Sequence, residues 1–233
     1  MQVYTTKVVD VPKGATGVGI IRLGFQGPVP FSFRPGQYVL VHAHVERGRE
    51  LKPYSIASPP SEKRFIELCI KDVPEGHVSH YMVNLKKGQE VEVSGPGGIF
   101  TLQEEIGNDL VFAATGTGIS AIKPMIETIF EKGTGHRVFL FYGARQAEEL
   151  AYRGLFESLA KKHKNFHFIP VISRDPQFPG ERGHVQDAIP RYVHGPRGKD
   201  IYICGVLRMV EETISWAEQY GFEKRKIHFE KYV

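Results

Sequence analysis

The chain has 233 residues, 41% of them hydrophobic, with 30 Lys and Arg against 26 Asp and Glu for a formal net charge of +4. That length holds one large domain or two of ordinary size, and mild basicity without a long Lys/Arg run argues against nucleic acid as a partner, while a basic face could steer an acidic electron-transfer protein or an anionic nucleotide. Only Cys69 and Cys204 are present, which excludes a disulfide framework and any Cys-clustered zinc or iron–sulfur site and favours the cytoplasm.

The start, Met1-Gln2-Val3-Tyr4-Thr5-Thr6, has no basic segment followed by an apolar core, and no apolar run approaches the roughly 18 residues that span a bilayer, so neither secretion nor membrane insertion is expected. From residue 1 to about 100 the pattern is of short strands separated by Gly and Pro: Val18–Leu23, Gln37–Val41 and Phe65–Ile70. Several short strands with turn signals predict a small barrel or sandwich. Lys52-Pro53-Tyr54-Ser55 places a cation, a rigid residue, an aromatic ring and a hydroxyl in succession. In an extended segment Lys52 and Tyr54 face one way and Ser55 the other, which offers a ring to stack on a flavin, a charge for phosphate and a donor near its reactive nitrogen. The same residues also suit a plain strand start with a half-buried Tyr.

One helix is predicted in this half, from about Val78 to Leu85, stopped by Lys86-Lys87-Gly88. Gly76-His77-Val78-Ser79 precedes it, with Ser79 in the N-cap or first turn, so the segment reads as a second anion site or as a simple helix cap. His77 has only His80 near it at helical spacing, and no metal site is expected.

After Gly95-Pro96-Gly97-Gly98 the pattern becomes apolar strand, turn and amphipathic helix, repeated. Strands are predicted at Asp109–Ala114, Val138–Tyr142, Phe166–Val171 and Asp200–Cys204. Helices are predicted at Ile119–Phe130, with Pro124 near the first turn, at Leu155–Lys162 and at Leu207–Tyr220. This alternation predicts an open parallel sheet with helices on both faces, Rossmann-like in plan. The domain boundary falls near residues 101 to 108, giving domains 1–101 and 102–233, and Pro176–Gly183 and Gly195–Gly198 read as exposed loops. Thr115-Gly116-Thr117-Gly118 joins a buried strand to a helix, where Gly lets the backbone approach a phosphate and free helical N–H groups point at it; an unliganded tight turn has the same pattern. Cys204-Gly205 ends the last of these strands at the carboxyl edge, where open α/β sheets bind ligands, and a buried Cys there also serves as a small hydrophobe. Phe229-Glu230-Lys231-Tyr232-Val233 adds a carboxylate and two aromatics, or only a final strand and tail.

Taken in order, these segments resemble the ferredoxin–NADP reductase superfamily over essentially the whole chain. Its flavin motif, Arg-x-Tyr-Ser or Arg-x-Tyr-Thr, is matched by Lys52-Pro53-Tyr54-Ser55. Arg34-Pro35-Gly36-Gln37-Tyr38 resembles its strand entry, Gly76-His77-Val78-Ser79 its second flavin-phosphate motif, and Gly95-Pro96-Gly97-Gly98-Ile99-Phe100 the segment closing the barrel. Thr115 to Pro124 resembles the pyridine-nucleotide pyrophosphate loop, and Cys204-Gly205 with Met209 the Cys-Gly-x-x-x-Met element.

The resemblance implies a Greek-key flavin barrel followed by an NAD(P)-binding α/β domain, with hydride passing from NAD(P)H to flavin N5 and electrons onward to a soluble ferredoxin, flavodoxin or oxygenase component. By that similarity Ser55 hydrogen-bonds at N5, Tyr54 stacks on the isoalloxazine, Cys204 packs beside the nicotinamide, and Glu230 and Tyr232 match the Glu-x-aromatic ending. Val233 beyond the aromatic is a departure that bears on stacking by Tyr232 and not on the carboxylate. Ser173-Arg174, with Arg182 as a second cation, matches the pair that holds a 2′-phosphate. This leans the choice slightly to NADPH over NADH, and the adjacent Asp175 opposes it. Lys52 stands where Arg is usual and lacks the bidentate fork, so weaker flavin retention is expected, with FAD ahead of FMN. The absence of a Cys cluster after residue 204 implies no fused [2Fe–2S] domain. The alternative implied is a non-catalytic regulatory or electron-transfer subunit that keeps the fold; Lys52 encourages it, and Ser55, Cys204 and Glu230 argue against it.

Overall fold

The computed structural model describes residues 1–27, 31–45 and 48–232. It divides into two compact units, Met1–Leu102 with Lys123–Glu131, and Gln103–Ile122 with Lys132–Val233.

The first unit contains β1 (Gln2–Asp10), β2 (Val18–Phe25), β3 (Tyr38–Val45), β4 (Gly48–Ser55), β5 (Ile66–Lys71), α1 (His77–Val83) and β6 (Glu90–Gly97). These strands form one antiparallel sheet in the order β4-β3-β6-β1-β2-β5. An antiparallel bridge from Ile56, just past β4, to Leu68 of β5 brings the two ends of the sheet together, so it curls toward closure as the barrel expectation requires. Inside lies an apolar cluster that includes Leu23, Val39, Val41 and Leu68, with Val78 and Met82 of α1 packed into it. Helix α1 stops at Val83, two residues before the predicted end. Strands β1 and β6 lie within the stretch read as short strands, although the sequence pattern does not single them out. Charged residues occupy every second position at the start of β6, Glu90-Val91-Glu92-Val93, where only Val91 and Val93 face the core.

The second unit contains β7 (Asp109–Thr115), α2 (Ile119–Lys132), β8 (Val138–Ala144), α3 (Arg153–Lys162), β9 (Phe166–Ile172), β10 (Glu181–Arg182), α4 (Val185–Tyr192), β11 (Lys199–Val206), α5 (Leu207–Tyr220) and β12 (Ile227–Tyr232), with the middle of α2 counted in the first unit. All six strands are parallel, in the order β10-β9-β8-β7-β11-β12. Strands β7, β8 and β11 are buried almost throughout, the pattern of a parallel sheet covered on both faces. The order reverses at β7 and β11, so their carboxyl ends flank the crevice where such sheets take ligands. Two expectations need correction. The stretch Pro176–Gly183 is not wholly loop, because Glu181 and Arg182 pair with Val171 and Ile172 in a strand too short to show an apolar run. Pro124 sits in the second turn of α2, inside the helix, since Ile119 is its first residue. Among the described residues no helix is long and apolar enough to cross a membrane.

Candidate functional site

In the first unit, β4 is an edge strand that among the described residues pairs with β3 alone, setting Pro53 opposite Leu40, Tyr54 opposite Val39 and Ser55 opposite Tyr38. An edge strand is where Pro is tolerated, because its missing N–H leaves no ladder position empty. Lys52 and Pro53 are exposed, Tyr54 is half-buried against the barrel core, and Ser55 is buried. Burial pushes the Tyr54 hydroxyl up to about 12, so the ring stays neutral at physiological pH. The four residues thus present an exposed cation, a partly accessible ring and a buried hydroxyl along one strand end.

Helix α1 has Gly76 as its N-cap and no side-chain cap. Ser79 is not that cap: its hydroxyl donates back to Gly76 O at 2.9 Å from within the first turn. Val78 is buried in the core, so only its backbone is available to a ligand, and His77 is exposed. The strand-entry and barrel-closing motifs interlock: a Cβ on Gly36, at φ 98°, would meet Phe100 O at 2.2 Å, and one on Gly97 would meet the Tyr38 ring at 2.9 Å. Their glycines are therefore explained by packing.

The sequence reading missed a buried ionic cluster in this unit. Lys123, 6% exposed, donates to Ala57 O at 2.8 Å and to Glu127 at 2.9 Å, and lies 3.4 Å from Glu67 Oε1. Glu67, 4% exposed, accepts from Arg22 Nε at 2.9 Å. Burial, followed by the opposing pull of Lys123, leaves the Glu127 carboxyl above its ordinary range. The signal was present: Glu67 interrupts an otherwise apolar strand, and Lys123 interrupts the apolar face of α2 with Glu127 four residues on. This cluster floors a cleft of about 570 Å³, and none of the residues expected to touch a cofactor lines that cleft.

In the second unit, Thr115 ends β7, Gly116–Gly118 form a single tight turn, and α2 begins with no side-chain cap on its first N–H groups. Gly116 adopts φ 53° with open space where a Cβ would stand, whereas a Cβ on Gly118 would meet Cys204 O at 2.3 Å. The turn is thus open outward and locked inward against β11. The lock continues at Gly205, φ 152°, where a Cβ would lie 2.3 Å from Thr115 Oγ1 and 2.8 Å from Met209 Cε. Met209 is buried and shapes that junction from within.

Cys204 is fully buried and stands opposite Glu230 in the β11–β12 register. Burial, and then the Glu230 charge, drive its thiol well up, against a hydrogen bond with Tyr232. The thiol is therefore neutral at physiological pH, a small packing group and not a nucleophile. The Tyr232 hydroxyl lies 3.1 Å from Ser120 Oγ. Ser120 donates its own hydrogen to Thr117 O at 2.7 Å, so Tyr232 is the donor between them. The C-terminal strand is in this way tied to the start of α2. Val233 lies outside the described residues.

Ser173 and Arg174 are exposed just past β9, where their backbone N–H groups donate to Ala144 O and Arg145 O at 3.0 and 2.9 Å. The Ser173 hydroxyl donates to Ala144 O at 3.2 Å, and Arg182 donates to Pro176 O at 2.7 Å, so both have intramolecular partners.

These arrangements fit an extended nucleotide cofactor in each unit: an edge strand carrying ring, hydroxyl and cation in one, together with a helix that has no side-chain cap, and an uncapped strand–turn–helix with no room for side chains at 118 and 205 in the other. Residues 11–102 match the oxidoreductase FAD-binding domain and residues 112–214 the oxidoreductase NAD-binding domain. The chain is 32% identical over 238 residues to the phenol hydroxylase P5 protein of Acinetobacter pittii, with 100% of this chain and 66% of that protein covered. It is 30% identical over 210 residues to ferredoxin–NADP reductase B of Sorangium cellulosum, covering 87% of this chain and 86% of that one. Among solved structures, the cytochrome P450 reductase GcoB of Amycolatopsis matches with a TM-score of 0.90 at 30% identity, over 99% of this chain and 69% of that chain. The chain spans about two thirds of the length of the phenol hydroxylase protein. With both cofactor domains matched in order and a reductase aligned over most of its length, the chain belongs to the ferredoxin–NADP reductase superfamily of FAD- and NAD(P)-binding oxidoreductases.

Proposed function

We propose that this chain is a flavin-dependent NAD(P)H oxidoreductase that passes electrons to a separate soluble acceptor, a ferredoxin, a flavodoxin or an oxygenase component, in the cytoplasm. The observation that carries this reading is the inward lock and outward opening of the Thr115–Gly118 turn, in a chain that also presents the Tyr54–Ser55 edge strand. When bound, NAD(P)H supplies a hydride that FAD accepts at N5, and the reduced flavin supplies the onward electrons.

Residues 1–101 hold the flavin and residues 102–233 the nicotinamide nucleotide. Ser55 donates a hydrogen bond at N5, the Tyr54 ring stacks on the isoalloxazine, and Lys52, Pro53 and the Gly76-His77-Val78-Ser79 segment face the remainder of the flavin, with Lys52 opposite phosphate. Backbone N–H groups of Thr115, Gly116, Thr117 and Gly118 bind the pyrophosphate, and Cys204 and Gly205 border the nicotinamide on a floor set by Met209. Burial, and then the charge of Glu230, keep Cys204 protonated, and Tyr232 excludes water beside it. Ser173 and Arg174 receive the 2′-phosphate of NADPH, for which the Ser173 hydroxyl turns away from Ala144 O. An oxygenase-type acceptor is supported by relatives whose names include a phenol hydroxylase protein and a cytochrome P450 reductase.

The reading predicts that the protein reconstituted with FAD bleaches in the visible on anaerobic addition of NADPH or NADH. Unbleached flavin with both nucleotides rejects it.

A further inference from the structure

The flavin motif ends at Ser55, and the three residues that follow are held more firmly than a loop requires. Ile56 N donates to Gln37 O at 2.9 Å and Ala57 N to Glu67 O at 2.7 Å. The Ser58 hydroxyl oxygen accepts from Glu67 N at 3.0 Å. Ala57 O is taken by Lys123 Nζ at 2.8 Å. A buried ammonium is a costly way to satisfy one carbonyl, since desolvation of the charge must be offset by partners. Those partners are Glu127 at 2.9 Å and Glu67 at 3.4 Å, and Glu67 is itself steadied by Arg22 at 2.9 Å. Glu67 therefore holds the segment twice, through its backbone to Ala57 and Ser58, and through its carboxylate to the cation that binds Ala57 O.

We propose that Lys123 is a positioning residue for Ser55: its ammonium, charged against Glu67 and Glu127, fixes Ala57 and thereby the Ser55 hydroxyl at the end of β4. The inference rests on the proposed role of Ser55 at the flavin. It requires nothing of Lys123 toward any ligand. Without the ammonium, Ala57 O loses its charge-assisted donor, residues 56–58 gain freedom, and the hydroxyl two residues upstream is no longer held to one place. Displacements on the order of 1 Å at a reacting group lower rates by as much as about a hundredfold, so the effect falls on the reduction step more than on binding.

The test uses Lys123→Met combined with Glu127→Gln, which removes the cation and one of the two carboxylates it would orphan, and Lys123→Arg, which restores a charged donor with the adjoining cleft to accommodate it. In the full chain, amide hydrogen exchange at residues 56–58 should quicken about tenfold in the double variant while β1 and β2 keep wild-type protection. The single-turnover rate of flavin reduction should fall about tenfold with the nucleotide dissociation constant within twofold of wild type, and Lys123→Arg should recover most of both. If the double variant does not fold, Lys123→Gln, which keeps a donor but is too short for Ala57 O, must show the same local exchange. Wild-type exchange at 56–58, or loosening spread evenly over the unit, overturns the positioning role. Wild-type protein whose flavin is not reduced, with the exchange effect present, instead overturns the reading of the flavin site and leaves the anchoring of Ala57 standing.

Discussion

The two regions proposed to hold the cofactors differ in the part of the chain that each uses. On β4 the chemistry is in side chains, an exposed Lys52, a half-buried Tyr54 and a buried Ser55 on an edge strand whose backbone has one neighbour. At the β7–α2 turn it is in the backbone, with Gly118 packed too closely on β11 to admit a Cβ, Gly116 open outward, and helix N–H groups that no side chain caps. A site made of side chains can be retuned residue by residue, because each contributes its own interaction. A site made of backbone is kept or lost as a unit, since any added atom moves the strand beside it.

The sharpest way to break this contrast is Gly118→Ala. Its methyl would lie 2.3 Å from Cys204 O and 2.6 Å from Gly205 Cα, both backbone atoms that yield only by moving the end of β11. We expect a stability loss of about 1–3 kcal/mol and at least a tenfold loss of NAD(P)H affinity with flavin retention intact; unchanged nucleotide titration and melting would show that this turn tolerates substitution like any loop. Ser55→Ala comes next. It removes a donor but little volume, so flavin reduction should slow by about tenfold or more with the thermal midpoint nearly unmoved, and an unchanged stopped-flow rate would remove Ser55 from the reaction. The smallest effect is expected from Lys52→Arg. Because Lys52 is exposed, a planar fork gains only geometry, and flavin retention measured by equilibrium dialysis should tighten by a few-fold; looser retention would place the phosphate elsewhere.

How much was legible in the sequence follows the same division. Four of the parallel strands, β7, β8, β9 and β11, were clear because a strand in a covered parallel sheet is written as a largely apolar run, as in Leu110-Val111-Phe112-Ala113-Ala114. The Gly116-Thr117-Gly118 turn was clear because few residue types can make that approach. Helix α4 was missed: it is eight residues long and contains Pro190, and its buried residues, Val185, Ala188 and Ile189, are too few to write a clear helical stripe. Strand β10 was missed because two residues carry no periodicity. The cluster of Lys123, Glu67 and Glu127 was missed for a different reason, since Lys123 and Glu67, 56 positions apart in the chain, are brought together only by the fold. Helix spacing suggests the Lys123–Glu127 pair, but nothing local says that it is buried.

The protonated state of Cys204 has a consequence for chemical durability. Sulfur is oxidised and alkylated as the thiolate, and at this position burial and the neighbouring Glu230 suppress that form. If the proposed site is right, Cys204 would stand where peroxide arises whenever oxygen intercepts reducing equivalents. A sulfur kept neutral and fully enclosed would resist oxidation there.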